Sequence, residues 1–171
     1  MSNVEFKDFS FQVKAALNEE TIAWLYETGN EIASNAKNNC ALDGNAGVQL
    51  RKSYRAEVDE GAGEAHIGSP LESAYWEEYG TGAHADTGKN GGKKGRSDWW
   101  VHYKNSGPNP DTPHYDESTA KSVAESLTAS GKTAYATNGR EPNYTLEKAF
   151  IKVRPKAEAN LEARLGRRLG K

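Results

Sequence analysis

The residues best suited to chemistry are four histidines (His66, His84, His102 and His114), a single cysteine (Cys40) and the adjacent carboxylates Glu77 and Glu78. A zinc site usually announces itself by ligands spaced on one helix face or across one tight turn. None of the histidines pairs at i,i+3 or i,i+4. His84, Asp86, His102 and His114 would have to converge through folding alone, so no metal and no other cofactor is expected. Glu77 and Glu78 carry the groups of a general acid and base. Neighbours on a helix point about 100° apart, however, and the expected place for both is the solvated surface. Cys40 reads as a small helix-end residue. The tract Asp86–Arg96, D-T-G-K-N-G-G-K-K-G-R, invites comparison with a phosphate loop, which needs Gly, four residues, then Gly-Lys-Ser/Thr. With Gly92-Lys93 in place, position 87 holds Thr87 and the Ser/Thr position holds Lys94. The pattern fails, and a basic, flexible loop is expected. There is no Gly-x-Ser-x-Gly and no local Cys/His signature, so the chain reads as a non-enzyme.

The elements around these residues follow from periodicity. Asn18 is a good N-cap, with Glu19 and Glu20 in the first turn, where carboxylates favour the helix dipole. Ile22, Leu25, Tyr26, Gly29, Ile32, Ala33 and Ala36 then recur at helical spacing and predict an amphipathic helix from about 19 to 39. Gln49–Asp59 alternates as a strand, with Leu50, Lys52, Tyr54, Ala56 and Val58 on one side. Glu60–Gly63 turns it into a return strand, Glu64–Gly68. The stretch Ile67–Gly82, I-G-S-P-L-E-S-A-Y-W-E-E-Y-G-T-G, breaks at Gly68–Pro70, becomes a short helix and stops at Gly80. Its aromatics Tyr75, Trp76 and Tyr79 are a large apolar load for so short a segment.

Trp99–Tyr103 reads as a strand, Asn105–Tyr115 as a proline-rich loop, and Asp116–Leu127 as a helix stopped by Gly131. Lys132–Ala136 reads as a further strand. Pro142–Tyr144 leads into a last helix whose stripe is Leu146, Ala149, Phe150, Val153, Ala157, Leu161 and Leu165, with a kink or break expected at Pro155. The fold class is α+β: a long N-terminal helix and a kinked C-terminal helix packed on a small antiparallel sheet.

At 171 residues, with 36% hydrophobic and 27% charged residues, the chain suits one soluble domain. No apolar run approaches the ~20 residues of a membrane span, and no membrane contact is expected. The N-terminus lacks a secretory pattern, and one cysteine fits a reducing compartment. The net charge of −2 conceals a split: residues 1–86 carry 6 Lys and Arg against 15 Asp and Glu, and residues 87–171 carry 16 against 9. Either the halves stay apart as acidic and basic ends that dock copy to copy, or they fold over one another and neutralise locally.

G-V-Q-L-R-K-S-Y (Gly47–Tyr54), I-G-S-P (Ile67–Pro70), A-Y-W-E-E-Y-G-T-G (Ala74–Gly82) and Pro142-Asn143-Tyr144 running into Ala149-Phe150 resemble, in order and spacing, the head–tail joining proteins of long-tailed phages. These are also called neck or tail-completion proteins, the family typified by gene product ten of an HK-type coliphage. The resemblance covers about residues 10–82 and 139–165, so residues 83–138 read as an insertion in a single joining domain, 1–171. The family's Pro-x-Asp-Thr-Gly before the first strand is replaced here by Ala41–Gly47.

The resemblance implies a structural virion protein, made in the host cytoplasm, that joins the portal or head-closure assembly to the tail without catalysis. Its partners would be itself in a ring, a hexamer on the particle, together with the head-closure connector and the tail terminator or tail tube. Tyr75, Trp76, Tyr79, Trp99, Trp100 and Tyr103 are the implied interface residues. Lys89, Lys93, Lys94 and Arg96 would face genomic DNA, holding phosphates by charge without sequence readout. The alternative is a nucleic-acid-binding protein using the basic C-terminal half.

Overall fold

A computed structural model describes residues 10–42, 44–88, 98–103 and 112–170, with side chains from Asn18 onward. The elements run α1 (Ser10–Asn39), α2 (Gly44–Ser53), β1 (Arg55–Asp59), β2 (Glu64–Gly68), α3 (Glu72–Tyr79) and β3 (Thr81–Gly82). They continue through β4 (Trp100–Tyr103), α4 (Glu117–Ala129), β5 (Ala134–Thr137), β6 (Gly139–Arg140) and α5 (Thr145–Arg168). The class is α+β, with the long N-terminal and C-terminal helices expected.

The body is α1 laid antiparallel to α5, with the β1–β2 hairpin and α2 against α1. Ile32, Ala36, Cys40, Leu50, Tyr54, Ala74, Ala149, Val153 and Ala157 form its core. On α1 the buried residues Gly29, Ile32, Ala33 and Ala36 follow the helical stripe read from the sequence, and the helix extends back to Ser10. The hairpin alternates as expected. Ala56 faces Ile67 and Val58 faces Ala65 in register, half-buried, while Glu57 and His66 point outward.

The expected strand over Gln49–Ser53 is instead the end of α2. Leu50 and Tyr54, four apart, are both buried, 0% and 1% exposed. A run of apolar and basic residues this short satisfies both a period of two and a period of 3.6. The helix prevails because Arg51 reaches back to the end of α1, donating from Nη1 to the carbonyls of Cys40 at 3.3 Å and Leu42 at 2.9 Å. On α5, Ala149, Val153 and Ala157 carry the stripe, which turns Phe150 outward to 49% exposure, contrary to its expected place inward. The helix also runs unbroken through Pro155. The donor that proline removes would have served the carbonyl of Ile151, a residue 61% exposed on the solvent side of the helix.

Along the seam of α1 and α5 the acidic and basic halves neutralise one another locally. Along the antiparallel pair, Glu20 meets Arg168 at 2.9 Å, Glu27 meets Arg164, and Glu31 meets Lys156 at 3.1 Å. Trp24 Nε1 donates to the carbonyl of Ala157 at 2.8 Å and stitches the same seam.

Where one small sheet was expected, the described residues form three separate two-stranded antiparallel ribbons: β1–β2, β3–β6 and β4–β5. The last belongs to a lobe inside the insertion, β4–α4–β5, whose elements make their principal contacts with one another. Its α4 starts where the sequence predicts: Asp116 accepts from the backbone N–H of Thr119 at 3.0 Å and from the hydroxyls of Ser118 and Thr119, both at 2.6 Å. These bonds hold the Asp116 carboxyl well below the usual carboxylate range. Gly131, with φ +85°, turns the chain out of the helix into β5.

Candidate functional site

α3 is short, and its inward face is the reverse of the one expected. Glu77 and Glu78 are 1% and 7% exposed, Ala74 is buried beside them, and Tyr75 is 39% exposed. Trp76 and Tyr79 are half-buried. The two carboxylates are structural anchors rather than solvated surface, because two chain segments with unsatisfied N–H groups end against this face.

Glu77 gathers three segments. Its Oε1 accepts from the backbone N–H of Ala41 at 2.6 Å, just beyond α1, and from Asn143 Nδ2 at 2.9 Å. Its Oε2 lies 2.8 Å from Arg140 Nη1, on β6. Asn143 Nδ2 also reaches the carbonyl of Asn39 at 2.8 Å and Thr145 Oγ1 at 2.9 Å. Glu78 serves α5: Oε2 accepts from the N–H of Leu146 at 2.7 Å and Oε1 from that of Glu147 at 3.0 Å.

The capping is reciprocal. The carbonyls that end α3 accept from downstream backbone, Glu77 from Asn143 at 2.9 Å, Glu78 from Tyr144 at 3.2 Å and Tyr79 from Asp86 at 2.8 Å. Tyr144 is the one described non-glycine residue at positive φ, +50°. Its hydroxyl donates to Asp86 Oδ2 at 2.8 Å, so both ends of the residue are held. Beneath this junction lie Tyr54 and Cys40, whose hydroxyl and thiol are both pushed up in pKa chiefly by burial. A raised thiol pKa makes a poor nucleophile, in line with the reading of Cys40 as a small helix-end residue.

The predicted interface residues divide between two places. Tyr75 and Tyr79 sit together on the flank of α3, ring centroids 5.0 Å apart and tilted by 57°, with Trp76 next to them. Trp99, Trp100 and Tyr103 belong to the lobe. Trp99 pairs with Tyr115 through backbone bonds of 3.2 and 3.0 Å and lies 5.6 Å from Lys121 Nζ. Trp100 is half-buried and Tyr103 is 40% exposed. Lys89, Lys93, Lys94 and Arg96 lie outside the described residues.

The histidines remain apart. His66 is near Glu64 on the hairpin, His114 pairs with Asp98, and His102 stacks at 5.2 Å from Tyr135. His84 contacts Asn138 Oδ1 at 3.1 Å and Glu141 Oε1 at 2.6 Å. Among the described residues no three His, Cys, Asp or Glu side chains are placed to hold a metal ion. An open groove of about 410 Å³ runs between α4 and β5, lined by Lys121, Ala124, Glu125, Thr128, Ala134, Tyr135 and Ala136.

Reasoning from sequence missed Arg140, Asn143 and Asp86. The one local signal was Asn143-x-Thr145 before a helix, a capping pattern whose partners cannot be named from the sequence. A scan against protein-family models and searches of curated proteins and solved structures find no match to this chain.

Proposed function

We propose that this chain is a non-catalytic joining protein of a tailed-phage neck, assembling as a ring between the head-closure connector and the tail terminator or tail tube. The motif resemblance of Gly47–Tyr54, Ile67–Pro70 and Ala74–Gly82 suggests the family, with six copies on the particle and non-specific contact with the genome as its further implications. One structural observation carries the reading: the aromatic flank of α3 is turned outward on a rigid mount. Glu77 and Glu78 bolt α3 to the end of α1, to β6 and to the start of α5, while Tyr75 beside them stays 39% exposed. Ionisable groups that an enzyme would aim at a substrate are here consumed by backbone and side-chain partners. A large aromatic held in place at low entropic cost is what a protein contact requires.

The test is assembly. Tyr75→Ala and Trp76→Ala are expected to leave the free protein folded and to reduce the yield of joined, infectious particles by an order of magnitude or more. Mass spectrometry should find the wild-type chain in purified particles, and imaging of the neck should show a closed ring containing it. Heads and tails that join normally in the absence of the chain would end the proposal.

A further inference from the structure

We propose that the outer edge of β5 docks an extended segment of another protein, which adds a strand beside Ala134–Ala136 and sets a basic side chain against Glu125. The direction of the β5 backbone carries this. Trp99 and Tyr115 exchange both backbone bonds, so the N–H and C=O of Trp99 point to the Tyr115 side of the ribbon. These directions alternate from residue to residue along an antiparallel strand. Trp100 and His102 therefore point the other way, into β5, where Thr137 and Tyr135 face them in register. Ala134 and Ala136 then turn their N–H and C=O groups away from β4. An independent contact agrees: Thr128 Oγ1, on α4, reaches the Ala134 carbonyl at 3.2 Å. That hydroxyl has one proton and also stands 2.8 Å from the Ala124 carbonyl, so it satisfies Ala134 only in part.

Space for a strand lies along this edge. α4 packs more on β5 than on β4, and the open groove of about 410 Å³ runs between the two. A strand edge that turns N–H and C=O groups outward is a template for a further strand. The side chains define the occupant. Ala134 and Ala136 share the ribbon face of buried Val101 and line the groove with Ala124, so incoming residues on that side must be small. Tyr135 is on the other face, 51% exposed with its ring 5.2 Å from that of His102. A β-branched residue opposite it gains a cross-strand contact. Charge selects further. Lys121 is taken up by Glu117 at 2.5 Å and by the ring of Trp99. Glu125, one turn on, lines the groove and has no ion-pair partner among the described residues. A Lys or Arg answers that charge, whereas a second β5 would bring another Glu125. The site stands on the lobe alone, independently of any role in a phage neck.

Amide exchange and a peptide test it on the full chain. In the free protein the N–H of Tyr135, bonded into β4, should show a protection factor about tenfold or more above that of Ala136. The peptide Lys-Ala-Val-Ala-Lys, blocked at both ends, should shift the Ala134 and Ala136 amide resonances with a millimolar Kd. Lys-Pro-Val-Pro-Lys, which lacks the donors a ladder needs, should leave them in place. Glu125→Lys should weaken binding about threefold or more with the fold unchanged. An Ala136 amide as protected as Tyr135 in the free protein, a peptide that leaves both alanines unmoved, or equal binding of the proline peptide would each overturn the site. So would shifts of these amides that grow with protein concentration in the absence of peptide, which would give the edge to a second copy.

Discussion

Glu78 caps a helix that begins far downstream of it, its two carboxylate oxygens accepting from the N–H groups of Leu146 and Glu147 across 68 and 69 residues of sequence. Helix caps are ordinarily supplied by the residue just before the first turn. Here that residue is Tyr144, which offers no side-chain acceptor to its own helix. The acceptor comes instead from α3, whose negative charge also lies at the positive end of the α5 dipole.

Removing this cap should cost what a helix cap costs. Glu78→Ala is expected to lower stability by about 1–2 kcal/mol, and Glu78→Gln by less, since one amide oxygen still accepts. Glu77→Ala should cost more, on the order of 3 kcal/mol, because it strands the Ala41 N–H, Asn143 and Arg140 together. Chemical denaturation with an unchanged m-value measures both. Equal costs at the two positions would contradict the roles assigned.

At Tyr144 two effects oppose. The left-handed backbone at φ +50° and ψ +48° costs a non-glycine residue roughly 1–2 kcal/mol, while the hydroxyl bond to Asp86 contributes about 1 kcal/mol. Tyr144→Phe should therefore destabilise by about 1 kcal/mol. Tyr144→Gly, which loses the bond and relieves the strain, should land near wild type. A glycine variant much weaker than the phenylalanine variant would show that the strain is absent or that the ring itself packs.

Acid should loosen the lobe before the body. His102 has its pKa lowered by burial from 6.5. The unfolded chain then binds a proton more readily than the folded lobe as pH falls below about 6.5, so stability present above that value is lost on acidification. Trp99 and Trp100 report the lobe, and Trp24 and Trp76 the body. Protection factors in β4 and β5, corrected for the intrinsic exchange rate at each pH, are expected to fall between pH 7 and 5, and His102→Gln should abolish that dependence. Exchange that is unaffected by the substitution would assign the acid sensitivity elsewhere.

At the β3–β6 pair, where Gly82 stands opposite Gly139, Gly82→Ala and Gly139→Ala should each destabilise by more than about 2 kcal/mol, since both combine positive φ with a backbone clash. Gly131→Ala is the control: it shares the positive φ of +85° with open space around it, and should cost only about 1 kcal/mol. Thermal melts of the three variants separate conformational strain from close approach.

What the sequence could reveal follows the range of the interaction. The stripe of α1 from Ile22 onward, the Glu60–Gly63 turn, and α4 between Asp116 and Gly131 are written in neighbouring residues, so local patterns locate them, although the N-cap expected at Asn18 lies inside α1, which begins at Ser10. The burial of Glu77 and Glu78 depends on Ala41, Arg140, Asn143, Leu146 and Glu147, distant in sequence, and no local pattern distinguishes an anchored carboxylate from a solvated one. The same holds for the acidic and basic halves, whose neutralisation requires knowing that α5 lies antiparallel to α1. Gln49–Ser53 failed for another reason: its residues fit both periods, and only the reach of Arg51 to Cys40 and Leu42 decides.

The β4–α4–β5 lobe also bears on the order in which the chain assembles during synthesis. α1 leaves the ribosome long before α5, its partner, exists, and domains form as their residues become available. The lobe lies between them and holds its own core, so it can condense while the body is still half made. Once β4 and β5 have paired, Trp100 stands beside Thr137, and the stretch still to be closed between Thr81 and Arg140 is shorter. Part of the entropy of closing that loop has then been met in advance, and Glu78 awaits the first turn of α5 as it emerges. The insertion that interrupts the body in sequence thus serves as the splint on which its two parts are set.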